Sequence, residues 1–158
     1  MKHRLNMKVE FRRFDGPTDW GFIQSQAPIL RVEDTTGIMA VDVESNTTVG
    51  AAIMDNWTHN SVQMHFIVAN SMVLRHGFME EVFDFIFNVK KLGYIYGMVR
   101  ETNTDALKID AHMGFTEILR LPDAWAVGED IIVVELKKED CMYLPKPGIL
   151  SPDTGEAA

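Results

Sequence analysis

Hydrophobic and polar positions in this chain follow recognisable periods, and the period changes wherever turn residues fall. Val9 and Phe11 alternate with basic residues over 7–14, which predicts a first strand. Asp15-Gly-Pro17 is a turn, and Thr18 or Asp19 can cap a short helix through Trp20, Phe22 and Ile23 that stops before Pro28. Ile38–Val43, the turn 44–47 and Thr48–Met54 predict a hairpin, and a polar turn over 55–60 leads into a third strand of this meander, Ser61–Val68. The segment Val73–Val82 reads as a strand running into a helix across a tight Gly77 turn. That helix is predicted from about Gly77 to Lys91, with Phe78, Val82, Phe85, Ile86 and Val89 at helical spacing. Gly93 ends it, and Tyr94–Arg100 reads as a buried strand. Asn103 or Thr104 caps a helix to Met113 with Gly114 as its left-handed stop. Phe115–Leu121 and Asp130–Leu136 are the last two predicted strands, separated by a loop over 122–128.

Length makes this pattern one domain: 158 residues, 46% of them apolar, can bury one sizeable core. The expected organisation is a flexible segment 1–6, a domain 7–144 and a disordered or partner-ordered tail 145–158, where Pro, Gly, Ser and Ala dominate. A formal charge of −8 argues against nucleic-acid binding and anionic membranes, because a phosphate-tracking surface needs clustered Lys and Arg. The lone cysteine, Cys141, excludes an intrachain disulfide, offers no metal-ligand spacing and is expected to be structural. Apolar runs such as Ile131–Val134 are too short for a bilayer span, and no leader pattern is present, so a cytoplasmic location is expected.

The chemistry concentrates in two segments, Val73-Leu-Arg-His-Gly-Phe-Met-Glu-Glu-Val82 and Asn103-Thr-Asp-Ala-Leu-Lys-Ile-Asp-Ala-His-Met-Gly-Phe115. Together they resemble the acyl-CoA half of the GNAT N-acetyltransferase family. In that family a Gln/Arg-x-x-Gly-x-Gly/Ala loop cradles the CoA pyrophosphate, and a later Asn-x-x-Ala helix ending in Gly-Phe flanks the pantetheine arm and thiol. The order strand, helix, three strands, helix, strand, helix, two strands is also the GNAT order. The resemblance implies an α/β single-domain GNAT fold, with a central mixed, mostly antiparallel twisted sheet flanked by helices. It implies acetyl-CoA as acyl donor and direct transfer to a primary amine of unknown identity. The run Asp55-Asn-Trp-Thr-His-Asn-Ser-Val62, with the two segments above, is similar to GNAT-like proteins encoded by tailed bacteriophages. That similarity implies an alternative role as a catalytically degenerate virion or assembly component, or as a host-protein binder. A homodimer is compatible with either reading.

Carried onto this sequence, the resemblance assigns the pyrophosphate to Leu74, Arg75, His76, Gly77, Phe78 and Met79. A helix start suits phosphate because its first N–H groups lack partners and carry positive dipole character. Leu74 stands where Gln or Arg is usual, and Met79, where a small residue is usual, is expected to crowd the phosphate. Phe66 and Val68 are expected to offer backbone N–H groups to the thioester, and Asn103 to lie near the pantetheine or thiol. The family's general-acid Tyr, four residues before the Gly of Gly-Phe, is Asp110 here. An ionised Asp cannot return a proton to a thiolate unless burial raises its pKa strongly. The candidate catalytic set is therefore His65 as base, Asn103 and Asp110, with His112 a weaker base and no metal. Asp55, Asp123 and Asp130 lie in turns, where Asp serves capping.

Overall fold

A computed structural model describes residues 7–145; the expected segment 1–6 and all but the first residue of the expected tail 145–158 lie outside the described residues. The elements are β1 (Val9–Arg13), α1 (Gly16–Gln26), β2 (Thr36–Asp42), β3 (Thr47–Asp55), β4 (Ser61–Val68), a 3₁₀ turn (Ser71–Arg75) and α2 (Phe78–Asp84). A π-helical stretch (Phe85–Val89), β5 (Tyr94–Arg100), α3 (Thr104–Met113), β6 (Thr116–Ala126) and β7 (Glu129–Lys137) follow. One 7-stranded sheet runs β1-β2-β3-β4-β5-β7-β6, and every neighbour pair is antiparallel except β4 with β5. The expected element order and the mixed, mostly antiparallel sheet are thus the observed ones. Among the described residues no helix is long and apolar enough to cross a membrane.

Strand alternation sorts the core into two layers. Ile38, Ala40, Ala52, Met54, Val62 and Met64 face α2 and α3, while Met39, Ala51, Ile53 and Ile67 face α1 through Ile23. Where the residue pattern and the structure part, the cause is local. Residues 71–75 form a 3₁₀ turn capped by the Asn70 side chain, which accepts from the Met72 N–H, and not the expected strand. The helix that follows widens at its end, because Lys90 N–H bonds back to the Phe85 carbonyl at 2.9 Å. Phe85, Ile86 and Phe87 are buried in succession along the widened stretch, and Val89 is exposed, contrary to expectation. The expected loop 122–128 is mostly strand: β6 continues to Ala126 through a register irregularity. Asp123 makes this workable, with φ at 56° and its carboxylate accepting from Gly128 N–H at 2.7 Å.

Helix α1 starts at Asp15, not at a Thr18 or Asp19 cap. Asp19 is instead buried, 2% exposed, and reaches back to accept from the Asp15 N–H at 2.8 Å while Arg12 of β1 grips it at 2.7 and 2.5 Å. Burial would push this carboxyl up, but the Arg12 and Asp15 hydrogen bonds outweigh it and hold it below its usual range. A depressed carboxylate stabilises the fold above its unfolded pKa and loses that contribution as pH falls through its folded one. Arg12→Ala should therefore cost about 1–3 kcal/mol at neutral pH, by leaving a buried charge short of donors. In urea titrations the gap from the parent should close in acid.

Candidate active site

The site follows from how β4 and β5 pair. They run parallel and are in register only at Ser61–Tyr94, Val62–Ile95 and Gln63–Tyr96, after which they part. A cavity of about 670 Å³ opens in the gap. Backbone direction alternates along β4. The Ile67 carbonyl lies against Gly50 of β3, while that of Met64 lies against Gly97 of β5, 3.4 Å from where a Cβ would stand. By the same alternation Phe66 and Val68 direct their N–H groups into the gap, where β5 has withdrawn.

From one side α3 closes the gap. Asn103 caps this helix, its Oδ1 accepting from Ala106 N–H at 3.2 Å, and Gly114 ends it at φ 101°. Asn103, Ala106, Ile109 and Asp110 recur at helical spacing and all line the cavity. The carboxyl of Asp110 makes no hydrogen bond to the described residues, and burial pushes its pKa up to about 7. A pKa raised by burial is the condition on which the acid role of Asp110 rests. The cause is desolvation of a half-buried side chain at the cavity wall.

From the opposite side His65 reaches the cavity, with its Nε2 3.1 Å from Asp55 Oδ2. Gln26, Pro28 and Ile29 at the end of α1 and just beyond it, with Met98, Arg100 and Trp125, complete this wall. Arg100 bonds to Glu129 and lies over Trp125 at 5.4 Å. The cavity thus brings together His65, Phe66, Val68, Asn103 and Asp110, and does not include Leu74, Arg75, His76, Gly77, Phe78 or Met79 in its lining. Those six lie beyond the end of β4. Gly77 takes φ 81° with open space where a Cβ would be, and Arg75 is exposed. Phe78 and Met79 are core side chains, 0% and 1% exposed, so only their backbone faces the helix start. The expected crowding by Met79 is corrected: its side chain turns away from that approach. His112 is exposed and outside the cavity, and burial pushes the Cys141 thiol up, away from the reactive thiolate.

Sequence reasoning missed Gln63, Arg100 and Trp125, which line the cavity, and Asp55, which bonds to His65. Asp55 was assigned to a turn, yet it ends β3 with 6% exposure. The signal was present in the hairpin register: Asp55 pairs with Gln63 and Ile53 with His65, so Asp55 and His65 are diagonal neighbours on one face.

No protein-family profile matches the chain, and no curated protein matches its sequence. Solved structures do. The spermidine N-acetyltransferase SpeG from Vibrio cholerae in complex with CoA and spermine matches with a TM-score of 0.67 at 16% identity, over 87% of this chain and 98% of that one. The spermidine/spermine N-acetyltransferase of the same organism, in complex with manganese ions, matches at 0.66 and 14%, over 82% and 92%. A variant of the enzyme reaches 0.69 at 16% identity, over 86% and 96%. At these identities the likeness is one of fold, and the GNAT fold expected from the two motif segments is the one observed.

Proposed function

We propose that the protein is an acetyl-CoA-dependent N-acetyltransferase acting by direct transfer on a primary amine. The observation that carries this reading is the parted β4–β5 gap with a protonatable Asp110 on one side and His65 on the other. In the reaction the amine attacks the thioester carbon, the C–S bond breaks, one proton must leave nitrogen and one must reach sulfur. His65 takes the proton from the amine. The N–H groups of Phe66 and Val68 receive the oxyanion of the tetrahedral intermediate. Asp110, with a pKa of about 7, gives its proton to a thiolate whose ordinary value is about 8.5, a favourable transfer. Asn103, at the same wall, flanks the pantetheine. Arg75 and His76, with the backbone N–H groups at Leu74, Gly77, Phe78 and Met79, hold the pyrophosphate at the start of α2. One fold neighbour is a spermidine N-acetyltransferase in complex with CoA and spermine and another a spermidine/spermine N-acetyltransferase, so spermine and spermidine head the list of acceptors to try. The reaction would run in the cytoplasm.

Acetyl-CoA at a hundred times its Kd should stabilise the fold by about 2.7 kcal/mol. A thermal-shift series with acetyl-CoA, CoA and unrelated nucleotides checks this. No shift at millimolar acetyl-CoA would sink the reading and promote a second one, a non-catalytic phage virion or assembly component or host-protein binder. What favours that alternative is the surface of β6, where Ile118, Leu119 and Trp125 are 49%, 53% and 43% exposed, a surface suited to a partner protein or a second copy.

A further inference from the structure

Among the described residues, Asp55 is the least explained polar group. It is 6% exposed, one of its carboxylate oxygens lies 3.1 Å from His65 Nε2, and the other, Oδ1, is buried with no hydrogen-bond partner among the described residues. A cap or turn role would use the carboxylate on backbone N–H groups, and no such bond is made. Burying a carboxylate is costly, so its position demands a compensating interaction. The neighbouring imidazole supplies it.

We infer that Asp55 is the positioning residue that fixes the tautomer and aim of His65, so that Nδ1 is the atom that takes the proton from the acceptor amine. The inference rests on the transferase reading above. A carboxylate only accepts, so the ring nitrogen beside it must carry hydrogen: Nε2 is the donor, and Nδ1 keeps its lone pair. Nδ1 has no partner among the described residues, and His65 lines the cavity while Asp55 does not. When the ring accepts a second proton, the carboxylate behind it stabilises the cation formed. Asp55 is held for this task by the sheet itself. It ends β3 opposite Gln63, whose side-chain oxygen accepts from Asn56 at 2.7 Å, and Asp34 accepts from the backbone N–H groups of Asn56 and Trp57 at 3.2 and 3.0 Å. The loop after Asp55 is therefore anchored, which fixes the backbone from which its carboxylate projects. Tyr96 faces the same pair from β5, and its hydroxyl is pushed up, by burial first and then by the charges of Asp55 and Asp34.

The resulting division is spatial. Base and acid sit on opposite faces of the sheet: His65 with Asp55 on the α1 face, and Asp110 on the α3 face. The proton leaving nitrogen and the proton reaching sulfur never share a carrier, so neither group must be reset before the C–S bond breaks.

The experiment uses nitrogen-detected NMR of the histidine rings in the full chain, together with steady-state transfer from acetyl-CoA to spermine. The parent should show His65 protonated on Nε2. Asp55→Asn should erase that preference, and lower kcat per folded protein by about 10²-fold, within what a general base contributes, without changing KM for acetyl-CoA. Asp55→Glu should recover part of the loss. In a His65→Gln background, Asp55→Asn should cost nothing further, because the two act as one unit. A parent ring protonated on Nδ1, or a variant that leaves tautomer and kcat untouched, overturns the inference. So does a kcat loss that merely tracks lost folded protein. If the parent transfers nothing to any amine, the transferase reading fails, while the tautomer measurement still decides whether Asp55 orients His65.

Discussion

At about pH 8, Asp110→Asn should melt at a higher temperature than the parent while transferring acetyl groups about 10²- to 10⁴-fold more slowly. Both effects come from one displaced equilibrium. Burial moves the Asp110 pKa from 3.8 to about 7, so the folded protein holds a proton over a window in which the unfolded chain has lost it. Stability therefore falls as pH rises through that window, the reverse of the usual case for a carboxylate, and the full penalty is in force above it. At about 1.4 kcal/mol per unit, the ionised form costs on the order of 4 kcal/mol, which Asn avoids because it carries no charge. The same substitution removes the proton that the thiolate needs. Melting curves of both proteins from acid to alkaline pH check the first effect, and kcat checks the second. Coincident melting curves at every pH would show that the carboxyl is solvated and unfit as an acid.

Met79→Ala should cost about 2–5 kcal/mol of stability and bring no gain in acetyl-CoA affinity. Its position in the loop motif suggested that a smaller side chain would open the way to phosphate. The structure says otherwise, since Met79 is 1% exposed within the core that includes Phe78, Val82 and Phe83. Truncation there opens a cavity whose lining loses its contacts and does not change the helix start. Arg75→Ala provides the contrast: an exposed residue with little to lose in stability, whose replacement should weaken acetyl-CoA binding. Chemical denaturation and calorimetric titration of the two variants separate the roles. Tighter acetyl-CoA binding by Met79→Ala would restore the crowding argument.

The residues that announce themselves by period were legible. Val62, Met64 and Phe66 alternate with Gln63, His65 and Ile67, and the strand lies where that alternation puts it. Asn103 and Gly114 bracket α3 through the capping chemistry their side chains, or lack of one, dictate. What the chain did not disclose was depth. Asp110 reads as an ionised surface acid until its place in the wall of the cavity is known, and Asp55 reads as a turn residue until β3 is seen to run through it. Met79 likewise has a motif position that is local and a side-chain direction that is set by the whole core. Pro122 and Gly128 misled for another reason. Both are ordinary turn residues, and here a bulge absorbs the irregularity so that the hairpin continues.

Only three rungs, Ser61–Tyr94, Val62–Ile95 and Gln63–Tyr96, hold the two halves of the sheet together. Strands β2, β3 and β4 are joined by short turns, as are β6 and β7, so each group can zip from near neighbours. The joint between β4 and β5 must wait for the chain to traverse α2, and it returns little ladder for the loop it closes. With so few ladder bonds, this seam is expected to be where the sheet exchanges its amide hydrogens soonest. A ligand bound there would touch both halves at once, so its binding should slow that exchange.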